Sequence, residues 1–438
     1  MRNPKYSAKT INHLSHADRK FVWHPFTQMQ DWLTEEPVII QKGRGNYLFD
    51  IQGRKYLDAI SSLWVTVHGH AHPFINAAIK KQVDLISHST LLGLSNVPAT
   101  ELAEKIIKIA PKGLKKVFYS DSGSTAVEIA LKMAYQYFCQ TAPNDKRDIF
   151  ITFKNAYHGD TLGSVSVGGI ELFHQIYKPL LMQNLIADFD NIEAIIKANA
   201  SRVAAVIIEP MIQGAAGMLL QPKGFLKKLR AMCDKHGLLL IFDEVATGFG
   251  RTGKMFACQH EGVSPDILCI AKGLSGGYLP VAATLTTQKI FDGFLAPHKD
   301  LKTFFHGHTF TGNPLACAAA IASLDLFKKN RVLAKLPAKI RILKTELKKI
   351  AKHPNVGEIR QLGLMVGIEL CQSKNPLVEY DYAQRMGAKV CQAARERGLM
   401  LRPLGNVLVF MPPLSITPAQ IRFLVKTTLL TIAAVCPH

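Results

Sequence analysis

The stretch LLLIFDE, residues 238–244, decides the fold of this chain. It is a short run in which every residue is apolar until Asp243. A continuous apolar run of this kind is typical of a parallel strand that is buried on both faces of a sheet. Ligands of open α/β sheets bind outside the carboxyl ends of such strands, so the pattern places Asp243 at a candidate ligand site.

Other short apolar runs lie on both sides of this stretch, and helical patterns at 124–138 and 222–237 lie between them. Strands that alternate with helices predict the α/β class, with a mostly parallel central sheet flanked by helices. The further runs predicted as buried strands are KVFYS (116–120), DIFITF (148–153), VAAVIIE (203–209), DILCIAK (266–272) and YLPVAATLT (278–286).

The two ends of the chain have a different pattern. GNYLFDIQGRKYLD (45–58) predicts a hairpin with its turn at Gln52-Gly53. After about residue 325, helix patterns alternate with short strands, and a last helix follows Pro418, which predicts a smaller α+β domain. The predicted division is an N-terminal segment 1–60 that contributes to the small domain, a large domain 61–325 and a C-terminal small domain 326–438.

The composition argues against several classes of function. The formal net charge is +20, but the basic residues are spread along helix-like surfaces, so we expect no nucleic-acid partner. The first twenty residues show no signal-peptide core, and the longest apolar runs are too short to span a bilayer, so we expect no membrane association. Eight cysteines without a C-x-x-C pair indicate reduced thiols in a cytoplasmic protein.

Three patterns suggest a nucleotide or a metal site, and the surrounding sequence argues against each of them. Residues 248–253 match G-x-G-x-x-G and residues 248–254 match most of a P-loop, but Met255 stands where a P-loop needs a hydroxyl. The segment after Gly253 is too short for a crossover helix, so a glycine-rich active-site loop is the favoured interpretation. The histidines of VHGHAHP (67–73) lie in a turn without a nearby acidic or cysteine partner, so we predict no metal site.

Lys272 ends its apolar run as Asp243 ends the preceding one, so both side chains are expected to face one crevice. Desolvation at a strand end lowers the pKa of a lysine, which makes Lys272 a candidate imine-forming nucleophile. Pyridoxal 5'-phosphate needs both groups, because it bonds to a lysine and requires an acid at its pyridinium nitrogen. The alternative for Asp243 is a carboxylate that caps a nearby loop.

A phosphate site is predicted in YSDSGSTAVEIALKMA (119–134), where a strand turns into an amphipathic helix. Gly123 allows close approach of the backbone, and the hydroxyl of Ser124 lies at the helix start, although an ordinary helix cap has the same composition. Tyr157 could stack on the pyridine ring, and Val245 could press on its opposite face. Thr309, before a helix that starts near Pro314, is a further candidate phosphate donor.

These motifs resemble the class III, fold-type I pyridoxal-phosphate aminotransferases. The resemblance covers residues 20 to 435. Three further stretches resemble the subgroup that aminates 8-amino-7-oxononanoate in biotin synthesis: WHPFTQM (23–29), SSLWVTVHGHAHP (61–73) and LRPLGNVLVFMPPL (401–414). Another class III aminotransferase, acting on an ω-amino acid or a polyamine, is the alternative function.

The resemblance also implies roles for single residues. Lys272 would bond the cofactor and move the proton, Asp243 would pair with the pyridine nitrogen, and Tyr157 would stack on the ring. Thr309 would reach the phosphate of the other subunit, which implies a homodimer with active sites at the subunit interface. Arg402 would bind the substrate carboxylate. The other implied site residues are Gly123 and Ser124 at the phosphate, Val245 at the ring, and Phe26, Leu63, Trp64, Arg251 and Gly307 in the substrate pocket.

The resemblance also bears on the identity of the amino donor. Members that use S-adenosylmethionine typically have Tyr, Trp and Pro where this chain has Phe26, Leu63 and His308. The loss of an aromatic face at Leu63 weakens adenine stacking, which is worth about 1–3 kcal/mol per base in nucleic-acid sites. Lysine is therefore the favoured donor, and S-adenosylmethionine is the alternative.

Overall fold

A computed structural model describes residues 6–436 of the chain. The α-helices of this described part are α1 (Ala8–Phe21), α2 (Met29–Trp32), α3 (Ser61–Trp64), α4 (Pro73–Val83), α5 (Val97–Ile109), α6 (Gly123–Thr141), α7 (Leu162–Ser166), α8 (Glu171–His174), α9 (Ile192–Asn199), α10 (Phe225–His236), α11 (Gln288–Asp292), α12 (Pro314–Lys329), α13 (Val332–Ile350), α14 (Met386–Glu396) and α15 (Pro418–Val435). The strands are β1 (Ile40–Arg44), β2 (Tyr47–Asp50), β3 (Lys55–Asp58), β4 (Leu114–Ser120), β5 (Ile149–Phe153), β6 (Asn184–Ala187), β7 (Val203–Ile208), β8 (Ile212–Gln213), β9 (Leu219–Leu220), β10 (Leu239–Asp243), β11 (Ile267–Ile270), β12 (Ala282–Thr287), β13 (Val356–Leu362), β14 (Met365–Lys374), β15 (Leu377–Glu379), β16 (Leu399–Met400), β17 (Arg402–Leu404) and β18 (Val407–Phe410).

The predicted α/β sheet is confirmed. Seven strands pair in the order β4-β12-β11-β10-β7-β5-β6. The pairs among β11, β10, β7, β5 and β6 are parallel, whereas β12 runs antiparallel to both β11 and β4. The sequence did not predict β6, because its residues are only partly buried at the sheet edge and lack a continuous apolar run.

The sheet is buried on both faces, because the side chains of its strands point alternately to a helix layer on one face and a helix layer on the other. Every residue of β7 and β10 is buried. Leu239 and Ile241 of β10 belong to the apolar cluster formed with α6, and Leu240 and Phe242 belong to the cluster formed with α10. Neighbouring side chains of β10 point to opposite faces of the sheet, because side chains alternate along a strand with a period of two residues. Among residues 6–436 no helix is long and apolar enough to cross a membrane.

The ends of the chain meet in a second group of sheets. The predicted hairpin is present as β2 and β3, and β3 pairs in parallel with β16 near the other end of the chain. β13, β14, β18 and β17, with β15 paired to β14, form a five-stranded sheet. The predicted boundary at residue 325 lies within α12, and the division into domains stays a prediction.

The segments that follow the parallel strands lie together at one edge of the central sheet. Because β5, β7, β10 and β11 are parallel, the segments beyond their carboxyl ends all open at this edge. α6 begins there as well, directly after β4. The short segment α3, Ser61 to Trp64, faces this edge and is a left-handed turn rather than a right-handed helix, because its φ values are 51°, 47°, 74° and 70°.

Candidate active site

A cavity of about 740 Å³ lies at this edge of the sheet. Its size is suited to a small organic molecule. Its wall combines strand-end carboxylates, a lysine and an arginine with aromatic rings. The predicted site residues that line it are Phe26, Leu63, Trp64, Gly123, Ser124, Tyr157, Asp243, Val245, Lys272 and Arg402.

Asp243 is held by two hydrogen bonds at the end of β10. Its side chain is buried, Oδ1 accepts the N–H of Val245 at 3.0 Å, and Oδ2 lies 2.7 Å from Nδ1 of His158. A carboxylate only accepts, so Nδ1 of His158 carries the proton of that bond. The sequence offered His158 no role, because its partner is 85 residues away along the chain.

Glu209 is a second buried carboxylate that the sequence analysis missed. It comes directly after β7 as Asp243 ends β10, and its two oxygens accept the backbone N–H groups of Gly214 and Tyr157 at 3.0 and 3.1 Å. Burial raises the pKa of Glu209 to about 7, while the charge of His158 lowers the pKa and that of Asp243 raises it. The apolar run that ends in this glutamate was the available signal.

Lys272 begins a 3₁₀ turn, Lys272–Ser275, directly beyond β11. Its φ of 40° lies in the left-handed region, which is strained for a residue with a side chain. Its Nζ lies 4.7 Å from the ring centre of Trp64. Desolvation lowers the pKa of Lys272, and the carboxylates of Asp243 and Glu209 oppose that change. A lysine whose pKa is lowered offers more of its nucleophilic neutral form.

The start of α6 provides an anion site beside these charges. Ser122 caps the helix and forms a reciprocal capping box with Thr125. The N–H groups of Gly123 and Ser124 occupy the first helical positions, where no carbonyl of the helix can accept them. A Cβ at residue 123 would lie 2.5 Å from Cγ1 of Val245, so only glycine fits there.

Aromatic side chains form the wall on the other side of the cavity. The hydroxyl of Tyr157 donates to Oδ2 of Asp160 at 2.7 Å, and burial raises the pKa of Tyr157. Phe173 lies between Tyr157 and Phe26, with ring centres 6.4 and 5.6 Å away and edge-to-face geometry. Neither Phe173 nor Asp160 was predicted. Phe173 reaches the cavity only through the tertiary structure, whereas Asp160 lies three residues after the predicted Tyr157 in the same segment.

Arg402 supplies a cation without a partner. Its side chain lines the cavity, and its guanidinium forms no hydrogen bond or ion pair with any residue of the described range 6–436. Burial lowers the pKa of Arg402, and the nearby hydroxyl of Tyr157 opposes that change. A partly desolvated, unpaired guanidinium is a strong site for a carboxylate.

Comparisons with known proteins agree with this chemistry. The family described as Aminotransferase class-III matches residues 29–430. The chain belongs to the class III aminotransferases. It is 49% identical over 443 residues to the adenosylmethionine-8-amino-7-oxononanoate aminotransferase of Geobacter sulfurreducens, covering 96% of this chain and 97% of the relative. It is 50% identical over 431 residues to the protein of the same name from Aquifex aeolicus, covering 94% and 95%.

Solved structures show the same fold. The adenosylmethionine-8-amino-7-oxononanoate aminotransferase of Methanocaldococcus jannaschii aligns with a TM-score of 0.95 at 46% identity, covering 97% of this chain and 99% of the other. An ω-transaminase from Pseudomonas jessenii, in complex with PMP, aligns with a TM-score of 0.92 at 30% identity, covering 96% and 99%. The fold-type I prediction is therefore confirmed.

This aminotransferase is an enzyme that uses pyridoxal 5'-phosphate, as its family does. Its residues fit the cofactor. The helix start at Gly123 suits a phosphate, the carboxylate of Asp243 suits a pyridinium nitrogen, and the partly desolvated amine of Lys272 suits a bond to an aldehyde. All three groups line one cavity.

Arg251 lies behind the wall of the cavity and supports it. In this aminotransferase the side chain does not line the cavity, because the residue is fully buried behind the wall. Its guanidinium donates to four oxygens, those of Ser61 Oγ, Pro412 O, Trp64 O and Thr66 O, at 3.1, 2.8, 3.1 and 3.0 Å. Arg251 thus positions the left-handed turn that carries Leu63 and Trp64, and its predicted role in substrate binding stays a prediction.

Gly307 and Thr309 also lie away from the cavity of their own chain. Both are exposed on the segment before α12. A role for Gly307 in a substrate pocket therefore depends on a second subunit and stays a prediction. The predicted role of Thr309 already assigns it to the partner's site, and it stays a prediction.

Proposed function

We propose that this aminotransferase converts 8-amino-7-oxononanoate to 7,8-diaminononanoate in biotin synthesis. The observation that carries the proposal is the unpaired guanidinium of Arg402 in the same cavity as Lys272. The substrate has a carboxylate at the far end of an aliphatic chain from the ketone, so it needs a cation apart from the reacting centre and an apolar wall between them. The names of the relatives support the same substrate.

Each group at the sheet edge has a role in this reaction. Lys272 would bond the cofactor, and its Nζ is the group that would move a proton at the reacting carbon of the substrate. The carboxylate of Asp243 would hold the pyridine nitrogen in its protonated form, and His158 holds that carboxylate in place. Pyridoxal phosphate supplies the electron sink when it is bound. Tyr157 and Val245 line the same cavity and would hold its ring.

The remaining wall orients the substrates. Arg402 forms a bidentate pair with the carboxylate of 8-amino-7-oxononanoate. The aliphatic chain lies against the aromatic wall, where the rings of Phe26 and Phe173 contact each other edge to face. The other contacts are those of Leu63 and Trp64, which the left-handed turn presents to the cavity.

We further propose a homodimer. A continuous apolar surface, here called the 83–97/301–312 face, is exposed in the single chain, and apolar patches of this kind mark protein interfaces. The ring of His88 lies 4.9 Å from that of Phe310, and Nδ2 of Asn96 donates to Gly312 O, so the two segments form one surface. Its exposed apolar residues are Val83, Leu85, Ile86, Leu92, Leu94, Val97, Leu301, Phe305 and Phe310. A second copy seated there brings Thr309 and Gly307 to its partner's site.

Two observations bear on the amino donor, and they favour different molecules. Phe26 and Leu63 line the cavity without the hydroxyl and the wide ring that S-adenosylmethionine users typically have, which favours lysine. The names of the relatives favour S-adenosylmethionine. Half-reactions decide between the donors, because only the true donor bleaches the absorbance band of the lysine-bound cofactor.

The experiment that tests the substrate is a turnover assay with 8-amino-7-oxononanoate and each donor. We expect diaminononanoate from the wild type and none from Lys272→Ala. If the enzyme instead aminates pyruvate or 2-oxoglutarate from an ω-amino acid or a polyamine, and leaves 8-amino-7-oxononanoate unchanged, the alternative function holds. We place the protein in the cytoplasm, since all eight cysteines are free thiols in the described structure.

A further inference from the structure

The segment that leads to Thr309 lies along α6. Gln140, Gln136 and Lys132 are spaced four residues apart, so they project from one face of that helix. Nε2 of Gln140 donates to Lys302 O at 3.3 Å, and Nε2 of Gln136 donates to Thr303 O at 3.0 Å. Nζ of Lys132 donates to Nδ1 of His306 at 2.9 Å. These bonds guide residues 302–306 towards the start of α6, where the phosphate site lies.

A further contact of this segment, between His308 and Asp121, reaches the phosphate site itself. Nδ1 of His308 lies 2.7 Å from Oδ2 of Asp121, and Asp121 lines the cavity two residues before Gly123. His308 also opens a turn, because its N–H donates to Oγ1 of Thr311 at 3.0 Å and its carbonyl accepts the N–H of Thr311 at 3.1 Å. Thr309 lies in that turn and is exposed.

We propose that the hydrogen bond between His308 and Asp121 couples the two cofactor sites of the dimer. The inference rests on the proposed homodimer, in which Thr309 serves the partner's site. Asp121 belongs to the phosphate turn of its own subunit. His308 holds the neighbouring Thr309 in the position from which Thr309 serves the other subunit. Each hydrogen bond therefore joins a group of one site to a donor of the other.

Charge explains the direction of the coupling. A phosphate dianion at Gly123 and Ser124 lies near the carboxylate of Asp121, and like charges repel more strongly in a partly buried site. The N–H of His308 offsets the charge of Asp121. Phosphate bound in one subunit thus favours the arrangement in which His308 is held against Asp121, and this arrangement presents Thr309 to the partner. By linkage the effect is mutual, so binding at one site strengthens binding at the other.

Mixed dimers test this inference. Two differently tagged chains are co-expressed, and one of them carries Lys272→Ala, so only the other subunit gives the absorbance band of lysine-bound cofactor. In the trans dimer, His308→Ala is placed in the Lys272→Ala chain. In the cis dimer, it is placed in the chain that retains Lys272. The reference dimer has no change at His308. The apo proteins are titrated with pyridoxal 5'-phosphate, and the band gives the affinity of the single reporting site.

We expect the trans dimer to bind the cofactor about tenfold more weakly than the reference, within the range typical of coupled sites. His308→Asn in the same arrangement retains a donor for Asp121 and should recover part of the affinity. Gln140→Ala, which removes a contact at the far end of the same helix face, serves as the matched control and should leave the affinity unchanged.

A trans dimer that binds like the reference overturns the coupling, whatever the cis dimer does, because the pair then acts only within its own subunit. A loss of the same size with Gln140→Ala also overturns it, because general loosening of the loop would then suffice. If the wild-type protein is a monomer, the proposed homodimer fails, and this inference fails with it. A dimer that gives no band with the cofactor overturns both the proposed function and this inference.

Discussion

The buried guanidinium of Arg251 is the feature whose removal tests the architecture of the site most sharply. Three of its four acceptors belong to residues 61–66, the segment that contains the left-handed turn. A left-handed residue other than glycine costs about 1–2 kcal/mol, so the four residues Ser61 to Trp64 together cost about 4–8 kcal/mol. Hydrogen bonds to a charged group contribute about 1.5–3 kcal/mol each, so three of them offset a strain of that size.

We therefore expect Arg251→Ala to release the turn and to withdraw Trp64 from Lys272. Burial lowers the pKa of Arg251 to about 10, so the group is still a cation near neutral pH and its loss leaves buried acceptors unpaired. A buried neutral acceptor that loses its partner costs about 1–3 kcal/mol. The melting temperature should fall clearly, and kcat/KM for 8-amino-7-oxononanoate should fall at least tenfold in the protein that remains folded.

The assay combines thermal denaturation, cofactor absorbance and steady-state kinetics on the same preparations. Arg251→Lys keeps the charge but not the fork of donors, so it should recover stability more than kcat/KM. Arg202→Ala, which removes an exposed arginine paired with Asp148, is the control and should behave as wild type. An Arg251→Ala enzyme with wild-type melting temperature and kcat/KM would refute the assignment of Arg251 as the residue that positions the turn.

Three further substitutions test single groups of the site. Asp243→Asn should keep the cofactor but lower kcat by about 10²–10⁴, as in comparable losses of a buried partner, and an unchanged kcat removes Asp243 from its role. Arg402→Ala should raise KM for 8-amino-7-oxononanoate by at least tenfold, since each hydrogen bond to a charge contributes about 1.5–3 kcal/mol, with the cofactor band intact; loss of the band would make Arg402 structural instead. The pKa of Glu209 is raised to about 7, so the folded state binds its proton more tightly than the unfolded chain, and stability is lost as pH rises from the ordinary value of 4.5 through 7. Glu209→Gln should remove that loss in thermal denaturation of the apoprotein between pH 5 and 8, and an identical pH dependence in the two proteins contradicts the pKa.

The sequence by itself determined the class of fold and the ends of the central strands. A strand buried on both faces must be apolar at every position, so each such run was visible in LLLIFDE and its neighbours. A charged residue that ends such a run has to lie at the sheet edge, which is why Asp243 and Lys272 were predicted without knowledge of the strand order. The start of α6 was equally local, because a turn with Ser122 and Gly123 needs no distant contact to be recognised.

Only the tertiary structure decided which side chains meet. His158 reaches Asp243 across 85 residues, and Phe173 reaches Phe26 from another segment, so no local period could reveal either contact. The same holds for Arg251, which looked like a residue of a glycine loop and is instead the buried partner of a left-handed turn. Local patterns report the burial of a residue, because apolar periodicity reflects the nearest helix or strand. Which distant group satisfies a buried charge depends on how those elements pack, and that is specified by the whole chain at once.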